Sequence, residues 1–460
     1  TQWWVTGSDG YAPSDIGSTA VTQITSSFSG MGAAIGTSAA SPGLTTILGS
    51  VDLPSLGLRV TVACATDSDY SGAKMHSSFV TDENHYLKIY TPNSPGVDCN
   101  TSRRHNGVFS YDHYLLSGIG DDNDALELTK DYCVVDGIQL TANMSGLKIS
   151  GGTSHTLTNN IIFSTKENGI LFDTPDGGGN NVIVNNIIYD SENKGIKILQ
   201  NASLDDDNNF YIYNNTVYGC DEGVYFEIDP DDSKRNRIFF YNNLIQNSTT
   251  RDCYCTVGSS EYLDSKSNYC SDRSIDVFFG ENDVSSWDCV FKDAPFKDFH
   301  ITLYESLRMT VVANLSSDIN YASTTDIDGD LRDRYKWDAG ADAWSPSESK
   351  IVNYSIGAET GNLDDAASRT VSITDGILIF EGDSVSNSIG VGDVVSIGSD
   401  KYYLAERGTG SKWLVRKFNG SLFSSPSEDV SSGTSINDVK RVSNSLKTAF
   451  EGATDGSFFK

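Results

Sequence analysis

Carboxylates recur in phase along the middle of the chain. Asp173 and Asp176, then Asp205, Asp206 and Asp207, then Asp229, Asp231 and Asp232 each follow a short apolar run. Loops that repeat in phase fall on one edge of successive structural units. Paired carboxylates there could act as general acid and base in glycoside hydrolysis, and Asp176, Asp206 and Asp231 are the catalytic candidates if the chain is an enzyme. The same oxygens could instead chelate Ca²⁺, the one cofactor the sequence leaves open. The plainer expectation is a solvated acidic edge, because Asp is a common turn residue. Asp326-Ile327-Asp328-Gly329-Asp330 is not an EF-hand loop: its Gly stands two positions early and no Glu closes it.

Aromatic residues form the second group. Phe163, Tyr189, Tyr211, Tyr213, Tyr218, Tyr225, Phe239 and Tyr241 fall at positions expected to face outward from the repeating units. Aromatics stacked along one face bind sugar rings or pack against a neighbouring chain, and the sequence does not choose between them. Outward strand positions also favour Tyr for β-propensity alone. Glycan-binding or interface residues are therefore expected at Tyr189, Tyr211, Tyr213, Tyr218, Tyr225, Phe239 and Tyr241.

Other chemistries find less support. A β-elimination lyase needs a basic residue beside a carboxylate-neutralising cation, and Lys166, Lys194, Lys197, Lys234, Arg235 and Arg237 form no such set. His155 aligns with Asn181 of the next repeat and reads as a structural histidine. No Gly-x-Ser-x-Gly, phosphate loop or dinucleotide fingerprint occurs. Cys253, Cys255 and Cys270 lie close in sequence and could form bridges in a secreted protein. Burial as small core residues is the simpler expectation for Cys64, Cys133 and Cys220. The Cys-x-Cys spacing does not suit zinc.

The elements that must position these residues are repeats. Asn-Asn followed by two apolar or β-branched residues occurs at Asn159, Asn185, Asn214 and Asn242, at intervals of 26, 29 and 28 residues. Between them stand Gly169-Ile170-Leu171-Phe172, Gly195-Ile196-Lys197-Ile198 and Gly223-Val224-Tyr225-Phe226. Such a period, with short strands and turn residues, marks a solenoid built of strands. Leu157, Ile183, Ile212 and Phe240 should stack as one inward column. The corner Asn tolerates left-handed backbone, and its amide can bond its equivalents one coil above and below.

These phased motifs resemble the right-handed parallel β-helix proteins of the pectate-lyase, phage tailspike and secreted bacterial surface type. The segment Thr325 to Asp330 with Arg332, then Trp337-Asp338-Ala339-Gly340-Ala341-Asp342, is similar to the ending of many bacterial and phage members. The resemblance implies fold rather than activity, since this fold hosts enzymes, adhesins and inert shafts.

The 460 residues carry a formal net charge of −29, which argues against nucleic acid and anionic membrane as partners. No apolar run approaches the roughly 18 residues of a membrane helix. Thr1 opens the chain with no leader pattern, which predicts a processed product or a piece of something longer. Residues 1–115 are expected to form an N-terminal cap and first coils, with a short helix between Ser18 and Ala34. Residues 116–344 form the regular helix of strands. Residues 345–460 form a smaller β domain, with a terminal helix spaced on Val439, Val442, Leu446 and Phe450.

The expected fold is all-β: a right-handed parallel β-helix solenoid with an N-terminal cap and a smaller C-terminal β domain. The expected role is a structural or adhesive extracellular or virion protein, a fibre, spike or appendage subunit. It would assemble with itself as a homo-oligomer or tandem array and bind cell-surface or extracellular polysaccharide. A polysaccharide hydrolase or lyase is the alternative, and a non-catalytic lectin-like module lies between.

Overall fold

The computed structural model describes residues 28–442, apart from 37–42, 65–67, 95–98, 100, 120–122, 174–177, 200–207, 229–236, 257–261, 279, 317, 319–324, 333–336, 347–354, 357–360, 365–368, 383–384, 387 and 424–427. The chain divides into two compact units. The first holds residues 1–289, 293–300 and 311–343, and the second holds 290–292, 301–310 and 344–460.

The first unit is a parallel β-helix. Among the described residues, three sheets of eight, seven and seven strands run along it, each strand pairing in parallel with its equivalent one coil away. In the first sheet Gly179–Val184 pairs with Asn208–Tyr213, which pairs with Arg237–Tyr241. The second sheet stacks Ile161–Phe163, Ile187–Tyr189, Thr216–Tyr218 and Leu244–Gln246. The third stacks Ile170–Asp173, Lys194–Leu199, Glu222–Glu227 and Arg251–Cys255. Leu157, Ile183, Ile212 and Phe240 form one inward column and are fully buried, as the repeat predicts. Each such side chain contributes about 1.5–3 kcal/mol of burial that a lone coil could not collect.

Corners explain the repeated residues. Asn159, Asn185, Asn214 and Asn242 all hold positive φ, between 52° and 56°. Asn is among the few residues that adopt this conformation readily. The second Asn of each pair is buried and builds a ladder. The backbone N–H and Nδ2 of Asn160 both donate to Asn186 Oδ1, at 3.0 and 2.9 Å. Asn186 does the same to Asn215, Asn215 to Asn243, and Asn243 to Asn268. Asn268 then donates to Asp283 Oδ1 at 2.8 and 2.9 Å.

Close approach, not backbone twist, requires glycine at the other corner. A Cβ on Gly169, Gly195 or Gly223 would lie 2.3–2.4 Å from Ile188, Val217 or Ile245.

At the N-terminal end, the described part of the expected helix is the turn Met31–Ile35, and Ser18 to Ser27 lie outside the described residues. Two further short helices, Gly43–Leu48 and Leu53–Leu56, follow.

Among its described residues the second unit contains a seven-stranded antiparallel sheet. Its order is Val430–Ser435, Thr370–Thr374, Ile377–Phe380, Lys412–Lys417, Asp400–Arg407, Val394–Ile397 and Asp438–Lys440. Val371, Ile373, Leu378, Leu404 and Val415 lie in its core. Where the apolar spacing predicted a helix through Val439, Asp438–Lys440 is instead an edge strand paired with Val394–Ser396. Val439 points inward as one strand position of an alternating pattern, and so short a stretch cannot separate the two periods. Leu446 and Phe450 lie outside the described residues.

Candidate functional site

The three catalytic candidates, Asp176, Asp206 and Asp231, lie outside the described residues. The aromatic positions do not form one stripe. The helix distributes them over three faces, and two of those faces are covered by later parts of the same chain.

On the first sheet, Tyr211 stacks on Phe239 at 4.8 Å and Tyr213 on Tyr241 at 5.1 Å. Leu315 and Trp337 close over Val182, Val184, Tyr211 and Tyr213, leaving Tyr213 1 % exposed. Val184 thus faces outward, as its alternation requires, yet is buried. On the second sheet, Tyr189 and Tyr218 pack on Phe299 at 5.4 and 4.9 Å. Lys297 lies over both rings and pairs with Asp190 at 2.7 Å. Tyr189, Tyr211 and Tyr213 thus face outward from the coils and are buried under later parts of the same chain.

Tyr225 keeps a more open position on the third sheet. It aligns with Tyr254, ring centroids 4.9 Å apart, and both are half-buried. Arg251 sits 3.7 Å from the Tyr254 centroid, and Lys194 and Lys197 lie 5.3 and 5.7 Å from that of Tyr225. Glu222 joins the two edges, bonding Arg251 at 2.8 Å and Lys194 at 3.2 Å. The result is a platform of two rings with three cations and a carboxylate, flat apolar faces rimmed by hydrogen-bonding groups.

In the sequence the stretch from Thr325 to Asp342 reads only as an ending, and nothing marks the residues from Val311 up to it. The corner asparagines hold both in place. Asn242 Nδ2 donates to the Ala313 carbonyl at 2.7 Å and its Oδ1 accepts from Ala313 N–H at 2.9 Å. Asn214 donates to the Asp338 carbonyl, and Asn185 to that of Thr325. Arg332 is fully buried beneath this segment. Its guanidinium donates to the carbonyls of Asp338, Gly340 and Ala341 and to Asn185 Oδ1.

The same segment brings together acids that the sequence had not joined. His300 Nδ1 contacts Asp298, and His300 Nε2 lies 3.3 Å from Asp328 Oδ2. Donor atoms of His300, Asp328 and Asp342 all fall within 4.8 Å of one another. Asp326 accepts from the N–H groups of Gly329, Asp330 and Ala343. Burial, its hydrogen bond to Asp328 and the charge of Asp342 push the Asp326 carboxyl up. Burial would raise Asp328 too, but hydrogen bonds from His300 and Asp326 outweigh it and hold Asp328 ionised. Against burial, Asp328, Asp342 and Asp298 raise His300 to about 10. One imidazole and two carboxylates could hold a divalent ion, and the protonated histidine already compensates them. His300 carried no signal in the sequence, since nothing repeats around it.

Three parallel sheets stacked by an asparagine ladder place the first unit among parallel β-helix proteins. The protein-family model described as periplasmic copper-binding protein (NosD) matches residues 89–275, less than half of the chain. No curated protein and no solved structure matches.

Proposed function

We propose that the chain is a structural, adhesive β-helix protein of the extracellular or periplasmic space that binds polysaccharide on the outer face of its third sheet. The carrying observation is the Tyr225–Tyr254 pair with Arg251, Lys194 and Lys197 around it. Two supports are general. The parallel β-helix presents long flat faces, and its matched family is described as periplasmic. Among the described residues no helix is long and apolar enough to cross a membrane. Self-assembly into an oligomer or tandem array, as on a virion or cell surface, belongs to the same proposal.

Copper does not follow from the family's name. Within the matched span, Cys133, Cys220, Cys253 and Cys270 are buried, and burial raises each thiol, Cys133 to about 12 and Cys220 to about 11. Copper(I) takes thiolates, and these are neutral thiols shut away from water. His105 and His155 are buried as well, and the half-buried His113 has its Nδ1 on the Arg103 carbonyl. The His300, Asp328 and Asp342 donors lie outside the span.

The test is binding of neutral and uronic-acid polysaccharides by affinity electrophoresis, with Tyr225→Ala/Tyr254→Ala as the control. A retarded wild type and a loss of at least tenfold in affinity in the double variant support the proposal. Equal retardation of both proteins, or none of either, sinks it. If light scattering then shows an oligomer that the double variant dissociates, the platform is an interface between copies.

A further inference from the structure

Cys253 lies on the third sheet in register with Val224, and Cys270 on the second sheet in register with Ile245. Both side chains face the interior, 1 % and 0 % exposed, and their sulfurs are 3.3 Å apart. The two residues belong to successive coils at the point where the regular stack ends. Beyond Cys270 the chain enters the 3-10 turn Ser274–Phe278 in place of another third-sheet strand.

We propose that Cys253 and Cys270 form a disulfide that staples the last regular coil when the chain folds in an oxidising compartment. Shortening the sulfur separation to the roughly 2.0 Å of a disulfide requires about an ångström of side-chain movement. Cys255, two residues from Cys253, is the competing partner by sequence.

The oxidant is a small-molecule disulfide such as oxidised glutathione. The thiolate of one cysteine attacks a sulfur of that disulfide and expels one small thiolate, leaving a mixed disulfide. The thiolate of the second cysteine attacks the protein sulfur of the mixed disulfide and expels the other small thiolate. Two protein thiols are oxidised, one small disulfide is reduced to two thiols, and the two thiol protons pass to the leaving groups through solvent. Burial keeps both sulfurs in the thiol form once the coil has closed, so exchange belongs to the stage when the coil is still open. The bridge then closes a loop between residues 17 apart and removes conformations from the unfolded chain. This inference does not depend on glycan binding.

The full chain should be refolded from denaturant with oxidised and reduced glutathione, alkylated under denaturing conditions, and mapped with trypsin without reduction. The expected product links the peptide of residues 252–266 to that of residues 267–273. Fragmentation between Cys253 and Cys255 should place the bond on Cys253. Reduction should then lower the thermal midpoint of the wild type by several degrees and leave Cys253→Ala and Cys270→Ala unmoved. Alkylation of all eight cysteines in the refolded protein, or a bond on Cys255, overturns the assignment.

Discussion

Arg332 Nη2 lies 3.0 Å from Asn185 Oδ1, joining a side chain of the trailing segment to a corner residue 147 positions earlier. This contact anchors the segment that covers Tyr211 and Tyr213. Arg332→Met should take one donor each from the carbonyls of Asp338, Gly340 and Ala341, which keep those from Asn214 and from the Ile327 N–H, at a cost of about 1–3 kcal/mol in local stability. Limited proteolysis between residues 325 and 343 is the direct check. Arg332→Lys should rescue only in part, because an ammonium cannot match the guanidinium fork. Equal protease resistance in all three proteins would show that the segment is held by its apolar contacts alone.

Asn215 tests the ladder. Its Oδ1 accepts from Asn186, and its amide donates to the Ile183 carbonyl at 2.8 Å and to Asn243 at 3.0 Å. Asn215→Ala should cost about 2–4 kcal/mol, because buried partners on two coils lose their hydrogen bonds. Asn215→Asp should be worse at neutral pH, since it points a carboxylate at acceptors. Hydrogen exchange at the Asn186 amide would report the damage. Protection as in the wild type in both variants would remove the ladder as a stabilising element.

His155 sets a pH dependence. It is fully buried, neither ring nitrogen makes a hydrogen bond of normal geometry, and burial lowers the imidazole to about 4. The unfolded chain takes up this proton near pH 6.5 and the folded chain does not. The His155 contribution is therefore intact above pH 6.5, falls as pH drops from about 6.5 to 4 and levels off below, while His105, lowered to about 3 by the same burial, adds a loss of its own. The His155 loss approaches roughly 3 kcal/mol. Denaturant midpoints at pH 7, 6, 5 and 4 give the slope, and His155→Phe should make it shallower, leaving the part that His105 sets. Phe210 fills the same column two coils on, so the replacement suits the space. A slope as steep in that variant would assign the effect to other groups.

The acid cluster makes an energetic prediction of its own. His300 and Asp328 should show a coupling of at least about 1 kcal/mol in a double-mutant cycle of His300→Gln and Asp328→Asn, because each leaves a half-buried charge uncompensated in the other's presence. Strict additivity of the two changes would mean that Asp298 alone satisfies His300.

What could be read in advance follows from periodicity. The Asn pairs and phased glycines were legible because a tight corner admits few residues and recurs every coil. The inward column of Leu157, Ile183, Ile212 and Phe240 was legible because alternation restarts at each corner. The covering segment was not. It is held by backbone carbonyls and by sparse apolar residues such as Leu315 and Trp337, which have no period. Tyr213 could therefore be seen to point outward without revealing that anything lay over it. His300, Asp328 and Asp342 meet only because that segment folds back, and their sequence separations bear no relation to the coil. Asp176, Asp206 and Asp231 stand outside the described residues, and their roles stay as the sequence alone suggests.

Every asparagine in the ladder passes two hydrogens to the next, and Asp283 receives the last two. A carboxylate has no amide to hand on. The ladder is thus a directional polymer with a terminator built from one atom's difference in chemistry, N against O. Coils should be insertable or removable inside the run from Asn160 to Asn243, where each new member finds both neighbours it needs. Beyond Asp283 growth in this register stops, so the length of the stack is set by the side chain that ends it.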